Sequence, residues 1–535
     1  MPGAGAAAPC GTAIIPIGIG QGAPAAPGSL NPLLGANFYN MQTGVLLYRP
    51  LIWPGADATA DANRSLAANV QVLDNNTRYR VTLKPWRWSD GAKITADDVV
   101  FGWERIEKLG DIYPYAGQGG IPDRVRSVRA ISPSQVDFVL KQPANPDWFE
   151  LNGLSLIYAL PRHAWGDPGR DEMWRRQTDP TLVQVVDGPF RLTDFRLDRY
   201  AAYAPNPLYG GHQASVARLV VTFLEGDNPL HAVQAGDADI AHVPYTLWRR
   251  MAVAPGLATT ILPASYGFSA IMLNQHNPAV AFLQDARLRH ALAQAIDQQT
   301  IIRLVYRGLA SENHVPIPAG ALARRSPTSR AGNPDLAYDP ARAAASLNQA
   351  GWRLAPDGVR ARDGKRLEFT MLTGAASDDA PELQVLQIVQ GELRAVGVEM
   401  HLRRMTFDQL TATMGGAPDS WDAGVQAITM PPVPEGGGYL DTGGSSNLGG
   451  YSDARMDQLV HDSTATPGPD GLFAYQDYAA AQEPWIILPQ GQFPVMLSAR
   501  LHGVADFENP LGYWSPEYLW VDDGQCAAPR REPNR

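Results

Sequence analysis

The chain has 535 residues, of which 45% are hydrophobic and 18% charged, and its formal net charge is −10. A chain of this length exceeds what one hydrophobic core usually serves, so we expect two or three globular domains. The acidic balance and the scattered basic residues argue against nucleic acid and against an anionic membrane as partners, and no apolar stretch is long enough to span a bilayer.

The first predicted element is a strand over Thr12 to Gly18. The following stretch, "GAPAAPGSLNPLL", predicts a loop rich in proline and glycine. Between them, "GIGQG" looks like part of a dinucleotide-binding fingerprint. Pro24 and Pro27 follow where the required helix would have to start, so we assign it no function.

A strand, a polar turn and a capped helix come next as one unit. In "TRYRVTLKPWRWSDG" the residues Tyr79, Val81 and Leu83 alternate with polar ones, which predicts a half-buried strand. "TADDVVFGWERI" then predicts a helix with Thr95 as its N-cap. Asp98, three residues on, completes the pattern of a capping box.

Helices and strands continue to alternate toward the C-terminus. "YDPARAAASLNQAGW" predicts a helix that Asp339 caps and that ends before Gly351. "DGVRARDGKRLEFTML" predicts a hairpin that turns at Asp363-Gly364, and "PELQVLQIVQGELRAVGVEMHL" predicts a helix that stops near Gly397 before another strand. This alternation predicts the α/β class.

The sequence contains no complete motif that is typical of a catalytic site. The ten histidines include no His-Glu-x-x-His motif, and "GLSLI" and "GFSAI" lack the final glycine of a nucleophile elbow. Adjacent carboxylates such as Asp97-Asp98 and Asp378-Asp379 occupy polar positions, where a solvated face explains them better than a glycosidase pair does. We therefore expect no enzyme, no cofactor and no metal site.

Two cysteines, Cys10 and Cys526, stand near opposite ends of the chain. Their spacing alone leaves two readings open, one bond that ties the ends together or two unrelated thiols. The start, "MPGAGAAAPCG", lacks the charged and apolar regions of a signal peptide and does not match a lipoprotein cleavage site. We therefore expect that any export signal has already been removed.

The stretch "WSDGAKITADDVVFGWERI" resembles the signature of the extracellular solute-binding proteins of peptide-type ABC importers, the oligopeptide/dipeptide-binding family, family 5. Further matches to this family follow in its order along residues 11 to 520. They are "PGSLNPLL", "LLYRPLIW", "DGPFRLTDFR", "NPLYGG", "DARLRHALAQAIDQQTIIRLVYRGLA", "YDPARAAASLNQAGW" and "NLGGYSDARMDQLV".

The resemblance implies a two-lobed α/β periplasmic-binding-protein fold that closes on a small ligand around a two-strand hinge. It implies a discontinuous lobe I (11–50, 187–265 and 487–526), an inserted subdomain of that lobe (51–186), a lobe II (266–486) and tails (1–10 and 527–535). The hinge would consist of the strand-like crossings "ASYGFSAIML" and "PWIILPQGQF". This topology brings Cys10 and Cys526 into one lobe, which favours a bond between them.

The segment "ITMPPVPEGGGYLD", residues 428–441, departs from the family pattern. In peptide-binding members an aspartate in this segment, which follows an aromatic-Asp pair, receives the α-ammonium of the ligand. Here the pair is Trp421-Asp422, the aspartate position falls near Pro431, and the loop's one carboxylate before Asp441 is Glu435. Loss of one partner of a buried ion pair costs about 3–5 kcal/mol. Either Glu435 substitutes, or the ligand carries no ammonium there, and we favour the second.

Eight residues in turn-rich or crossing segments are the expected ligand contacts. They are Tyr39 and Asn40 in the early loop, Tyr113 in the inserted subdomain, Tyr266 at the first crossing, Thr429 and Glu435 in segment 428–441, and Gln490 and Gln492 at the second crossing. Rigid aromatic rings beside turns can line a cleft, although each ring alone could equally be core packing.

The resemblance favours the substrate-binding component of an ABC importer. Such a protein would be periplasmic or extracellular and monomeric, and would deliver a small molecule, a peptide or a peptide-like solute, to a membrane permease. A non-peptide ligand, such as a glycan or a metal chelate, and a regulatory or interaction role without transport are the alternatives. A hydrolase fits less well, because no catalytic motif supports it.

Overall fold

The computed structural model describes residues 8–18, 27–35, 38–223, 228–253, 256–332, 335–375, 380–524 and 526. The pair Asp378-Asp379 and most of the two predicted tails lie outside these residues. The chain divides into two compact units. Unit 1 comprises residues 1–263 and 493–535, and unit 2 comprises residues 264–492.

The strands of the described residues are numbered in chain order. They are β1 (Thr12–Pro16), β2 (Ala67–Leu73), β3 (Arg78–Leu83), β4 (Val125–Ser132), β5 (Gln135–Leu140), β6 (Phe190–Arg196), β7 (Tyr200–Pro205), β8 (Arg218–Thr222), β9 (Ile240–His242), β10 (Leu257–Leu262), β11 (Gly267–Leu273), β12 (Ala310–Ser311), β13 (Arg353–Leu354), β14 (Arg360–Arg362), β15 (Lys365–Arg366), β16 (Glu368–Thr373), β17 (Glu399–Arg404), β18 (Ala423–Thr429), β19 (Trp485–Ile487), β20 (Gln490–Gly491), β21 (Phe493–Ser498), β22 (Leu501–His502) and β23 (Trp520–Val521).

The α-helices of the same residues are numbered in the same way. They are α1 (Phe38–Leu47), α2 (Ala96–Leu109), α3 (Pro146–Trp148), α4 (Arg162–Trp165), α5 (Arg170–Arg175), α6 (Asn228–Ala235), α7 (Trp248–Met251), α8 (Ala286–Gln294), α9 (Gln298–Leu304), α10 (Pro327–Arg330), α11 (Pro340–Gln349), α12 (Pro381–Ala395), α13 (Phe407–Gly416), α14 (Ala454–Ala465) and α15 (Asp470–Gln482).

Unit 1 is built on small sheets, one of which joins its two chain segments. One has the order β1-β8-β7-β6, with β1 parallel to β8, and another has the order β10-β21-β9, in which β21 comes from the C-terminal segment. The ends of the chain meet beside β1, where Cys10 and Cys526 form a disulfide with a Cα–Cα distance of 5.6 Å. Unit 1 is therefore assembled from both ends of the sequence.

The predicted strand, turn and capped helix lie within unit 1. Tyr79, Val81 and Leu83 are buried on one face of β3, in a sheet of order β2-β3-β5-β4. Helix α2 begins with the expected capping box of Thr95 and Asp98. The prediction of this local unit from alternation and capping is confirmed.

Unit 2 has a central mixed sheet of order β17-β16-β18-β11-β19. Strands β17 and β18 run parallel to β16, whereas β18 and β19 run antiparallel to β11. Helices α8, α11 and α12 pack their apolar faces against this sheet through buried residues such as Leu288, Leu347 and Leu386. The two predicted crossing segments contain β11 and β19, which pair directly, so the first and last parts of unit 2 meet at its centre.

Local signals in unit 2 also predicted the elements that form there. Asp339 caps α11 by accepting a hydrogen bond from Arg342 N at 2.8 Å, and α12 ends before Gly397, whose φ is +86°. Asp363 and Gly364 form the hairpin turn between β14 and β15 with φ of +51° and +78°. The α/β class is confirmed. The finer division into lobes and an inserted subdomain stays a prediction.

Candidate functional site

Three of the predicted contact residues lie in unit 1 and five in unit 2. In unit 2 the segment 428–441, which we call the wall segment, leaves the central sheet at the end of β18. Met430 N donates to Tyr266 O at 2.8 Å, and the Tyr266 hydroxyl donates to Pro432 O at 2.9 Å. Tyr266 is 2% exposed, and burial raises the pKa of its hydroxyl. Tyr266 thus fastens the proline-rich start of the wall segment.

The glycine-rich half of the wall segment is held by close packing. A Cβ on Gly436 would lie 2.5 Å from the ring of Tyr475, so only glycine fits beside that ring. The Tyr475 hydroxyl is buried and has no hydrogen-bond partner among the described residues. Burial, reinforced by the negative charge of Glu435, raises the pKa of Tyr475.

Glu435, the one carboxylate considered as a substitute anchor, is folded back into the wall segment. It is 8% exposed, and its Oε2 accepts a hydrogen bond from Gly437 N. Burial raises the pKa of the Tyr439 hydroxyl, and the negative charge of Glu435 raises it further. At least one carboxylate oxygen therefore serves to shape the turn of the loop.

Aromatic rings form the surroundings of the wall segment. Trp485 of β19 lies with its ring centroid 6.0 Å from that of Phe268 and 6.1 Å from that of Tyr439. The Tyr439 hydroxyl donates to Thr429 O at 3.2 Å, and Thr429 pairs with Gly267 at the start of β11. Tyr439, Tyr475 and Trp485 were missed in the sequence, although the juxtaposition of aromatic residues with glycine or proline in "GGGYLD" and "EPWIIL" is a signal for two of them.

The two predicted glutamines lie close together at the C-terminal edge of unit 2. Gln490 is 4% exposed, and its side chain binds backbone on both sides, since Nε2 donates to Ser265 O and Oε1 accepts from Ala319 N at 2.8 Å. Gln492 is half-buried, and its backbone N donates to Leu309 O at 2.9 Å. Tyr266, Thr429, Glu435 and Gln490 are thereby brought to one region of unit 2.

The unit 1 residues Tyr39 and Asn40 lie at the start of α1. Asn40 is buried, and its Oδ1 accepts from Ser29 N at 3.1 Å, which anchors the loop before the helix. The ring of Tyr39 closely covers Gly18, where a Cβ would be 2.5 Å from Cε1. Burial raises the pKa of the Tyr39 hydroxyl.

Tyr113 belongs to a cluster of tyrosines in unit 1. Its ring centroid is 5.8 Å from that of Tyr115, and the Tyr115 hydroxyl donates to Gly35 O at 2.7 Å. The Tyr113 side chain is 2% exposed, and its hydroxyl has no hydrogen-bond partner among the described residues. Burial, together with the nearby hydroxyls of Tyr115 and Tyr513, raises the pKa of Tyr113 well above its ordinary value.

Glu508 is a further ionisable group in unit 1 that was not predicted. Burial raises its pKa to about 8, while the neighbouring side chains of Trp514 and Gln42 act in the opposite direction. Gln42 lies one turn after Tyr39 on α1, and its Oε1 accepts from Gly18 N at 3.1 Å. The face of α1 that carries Tyr39 is thus bordered by a carboxyl group that favours its neutral form.

The described residues contain neither a cluster of metal-ligating side chains nor a membrane-spanning helix. Among them, no group of three or more histidine, cysteine, aspartate or glutamate side chains could hold a metal ion. No helix among them is long and apolar enough to cross a bilayer.

Comparisons with known proteins find sequence similarity over most of the chain. The sequence model described as "Bacterial extracellular solute-binding proteins, family 5 Middle" matches residues 62–447. The oligopeptide-binding protein AppA of Bacillus subtilis (strain 168) is 26% identical over 420 residues, which cover 76% of this chain and 73% of that protein.

Solved structures share the fold. The structure of AppA from Bacillus subtilis in complex with a nonapeptide matches with a TM-score of 0.74 and 22% identity, over 96% of this chain and 100% of that one. NikA from Brucella suis in complex with Fe(III)-EDTA matches with a TM-score of 0.79 and 18% identity, over the same shares of the two chains. At these identities the likeness shows a common two-lobed fold and leaves the ligand of this chain open.

Proposed function

Because the chain belongs to the family 5 bacterial extracellular solute-binding proteins, we propose that it captures a small peptide or peptide-like solute and delivers it to the membrane permease of an ABC importer. It acts outside the cytoplasm, as a monomer, and catalyses no reaction. Relatives such as the oligopeptide-binding protein AppA support a peptide-like ligand. The full set of predicted contacts, Tyr39, Asn40, Tyr113, Tyr266, Thr429, Glu435, Gln490 and Gln492, is part of this proposal.

The observation that carries the proposal is the construction of the wall segment in unit 2. Tyr266 directly precedes β11 and Trp485 begins β19 in one sheet, and Tyr439, within the wall segment, packs against Trp485. The prolines of the segment restrict its backbone, and its glycines allow close packing. Ligand sites typically combine aromatic surfaces with a few fixed polar groups. A loop that served only as a connection would not need Gly436 packed against a buried tyrosine ring.

The contacts of Glu435 support a ligand that carries no ammonium group at the wall segment. An ammonium anchor needs a carboxylate that is directed at the ligand, yet Glu435 is buried and accepts a hydrogen bond from Gly437 N. Removing one partner of a buried ion pair costs about 3–5 kcal/mol, or about two to four decades of affinity. We therefore propose that the ligand presents no ammonium to the wall segment.

Paired ligands test this function. Isothermal titration with matched peptides, one with a free N-terminus and one N-acetylated, should give similar affinities for the wild-type protein. Glu435→Gln should change neither affinity by more than about threefold, a difference of about 0.65 kcal/mol. Glu368→Gln, an exposed carboxylate at the start of strand β16, is the matched control.

A free-amine preference that Glu435→Gln abolishes would assign the amine anchor to Glu435 and overturn the ligand proposal while leaving transport intact. Absence of binding to peptides, glycans and metal chelates alike would overturn the transport function itself. The panel includes glycans and chelates because the family fold also accommodates a metal chelate in the NikA structure.

A further inference from the structure

A tight chain reversal at residues 507–515 of unit 1 places Glu508 opposite Trp514. The two residues pair as an isolated antiparallel bridge. The tip of the reversal is fixed by Asn509, whose Oδ1 accepts two backbone N–H groups at 3.0 Å and whose Nδ2 donates to Pro54 O at 2.8 Å. These bonds hold the backbone on both sides of Glu508, so its side chain leaves from a defined position.

Two buried N–H donors lie beside the Glu508 carboxyl group. They belong to the indole of Trp514 and the side-chain amide of Gln42, and both residues are 0% exposed. Gln42 Oε1 accepts from Gly18 N at 3.1 Å, which fixes the orientation of the amide. Neither Trp514 Nε1 nor Gln42 Nε2 completes a hydrogen bond of ordinary geometry among the described residues. Buried donors are rarely left unpaired, so this polar group is built to be completed by a further contact.

The Glu508 carboxyl group is half-buried and favours its neutral form. Burial raises its pKa to about 8, and the N–H groups of Trp514 and Gln42 offset that rise only in part. No charged side chain of the described residues contributes to the shift. A neutral carboxyl group has one O–H donor besides its acceptor oxygens. Because two N–H groups lie against the acceptor oxygens, the O–H group is the part of Glu508 that can serve a ligand.

Glu508 adjoins the part of unit 1 that carries predicted ligand contacts. Gln42, beside its carboxyl group, lies three residues after Tyr39 on α1, so these two side chains are neighbours on one helix face. Tyr113, another predicted contact, lies near Tyr513 of the 507–515 reversal, and its buried hydroxyl has no hydrogen-bond partner among the described residues. Predicted contacts from two separate segments therefore border the same reversal.

From this arrangement we infer that Glu508 is a specificity-determining ligand contact, whose neutral carboxyl group donates a hydrogen bond to an uncharged carbonyl oxygen of the solute. The inference rests on the proposed function, because it names a chemical group of the captured solute. An ammonium group would need an ionised carboxylate, which burial disfavours. A ligand carboxylate would bring a negative charge to a group whose described surroundings contribute no cation. An amide carbonyl, as in a peptide backbone, accepts the proton without adding a charge.

The pH dependence of binding tests the role of this proton. The probe is N-acetyl-trialanine amide, which carries amide carbonyl groups and no charge. Isothermal titration of the full-length protein should give binding about tenfold weaker at pH 9 than at pH 7, because the protonated fraction of Glu508 falls by that factor. At pH 8 binding should take up about half a proton, measured from the heats in buffers of different ionisation enthalpy.

Substitutions assign the proton to Glu508. Glu508→Gln keeps a neutral donor, so it should bind the probe within about threefold of the wild type at pH 7, with no loss at pH 9 and no proton uptake. Glu508→Met removes the donor at similar length and should weaken binding about tenfold at pH 7. Glu107→Met, which replaces an exposed carboxylate on α2, is the matched control and should change neither affinity nor proton uptake.

Equal wild-type affinities at pH 7 and pH 9 would overturn the inference, whether or not Glu508→Met folds. Loss of binding in Glu508→Gln at pH 7 would also overturn it, because the contact would then need an ionised carboxylate. A wild-type protein that binds charged peptides but not the uncharged probe overturns this inference alone. A wild-type protein that binds none of the peptides, glycans or chelates overturns the proposed function as well.

Discussion

Asp239 binds groups from two other segments of unit 1, and its replacement by alanine should destabilise that unit strongly. Its Oδ2 accepts from Ile14 N on β1 at 2.8 Å and from Arg500 Nη2 at 2.8 Å. Its Oδ1 accepts from Ser498 Oγ at 2.6 Å and from Arg500 Nε at 2.7 Å. Asp239→Ala therefore removes four hydrogen bonds, two of them in a bidentate ion pair.

The magnitude follows from the burial of the two charges. The Asp239 side chain is 1% exposed, whereas that of Arg500 is 32% exposed. Removing one partner of a buried pair costs about 3–5 kcal/mol when the remaining charge stays buried. Arg500 can regain part of its hydration, so we expect Asp239→Ala to lower the free energy of unfolding of unit 1 by about 2–4 kcal/mol.

Urea denaturation, with hydrogen exchange on peptides of unit 1, measures this loss. A double-mutant cycle with Arg500→Met should show a coupling of about 1–3 kcal/mol, because the two side chains share one network. A loss for Asp239→Ala under about 0.5 kcal/mol, or effects that simply add in the double variant, would refute the assigned role of this ion pair.

Three further perturbations probe the same structure. Gly102→Ala should destabilise the protein by about 1–3 kcal/mol, because the added Cβ would lie 2.1 Å from a backbone carbonyl oxygen. Gly391→Ala, where no atom lies within 4 Å of the added Cβ, should instead stabilise α12 by up to about 1 kcal/mol. Equal shifts of the melting temperature in the two variants would refute the packing argument. Between pH 4.5 and 8 the folded state keeps a proton on Glu508 that the unfolded state loses, so the free energy of unfolding falls as the pH rises. Glu508→Gln should therefore make the free energy of unfolding, measured by denaturation at several pH values, depend less on pH in this range. Reductant should lower the unfolding midpoint of the wild type but not of the Cys10→Ser/Cys526→Ser variant, because the disulfide constrains the unfolded chain; identical responses would exclude the bond.

Short-range signals in the sequence predicted much of the fold. The capping box of Thr95 and Asp98, the Asp339 cap and the turn at Asp363-Gly364 depend on residues within a few positions of each other, so their physical causes are visible in the sequence itself. The order of the segments came instead from a family resemblance.

The candidate site was harder to predict from the sequence, because its contacts join distant parts of the chain. Gly436 meets Tyr475, and Gln490 meets the backbone of Ser265, across separations that no local pattern encodes. The role of Glu435 shows the same limit. The sequence presents a carboxylate available for a ligand, whereas the fold turns it toward Gly437.

Capture of a small solute is tested most directly by non-denaturing mass spectrometry of the protein purified under mild conditions. We expect a discrete bound molecule of peptide size that is released on denaturation and rebinds to the refolded protein. A spectrum that shows only the bare chain, before and after incubation with a peptide library, would contradict it.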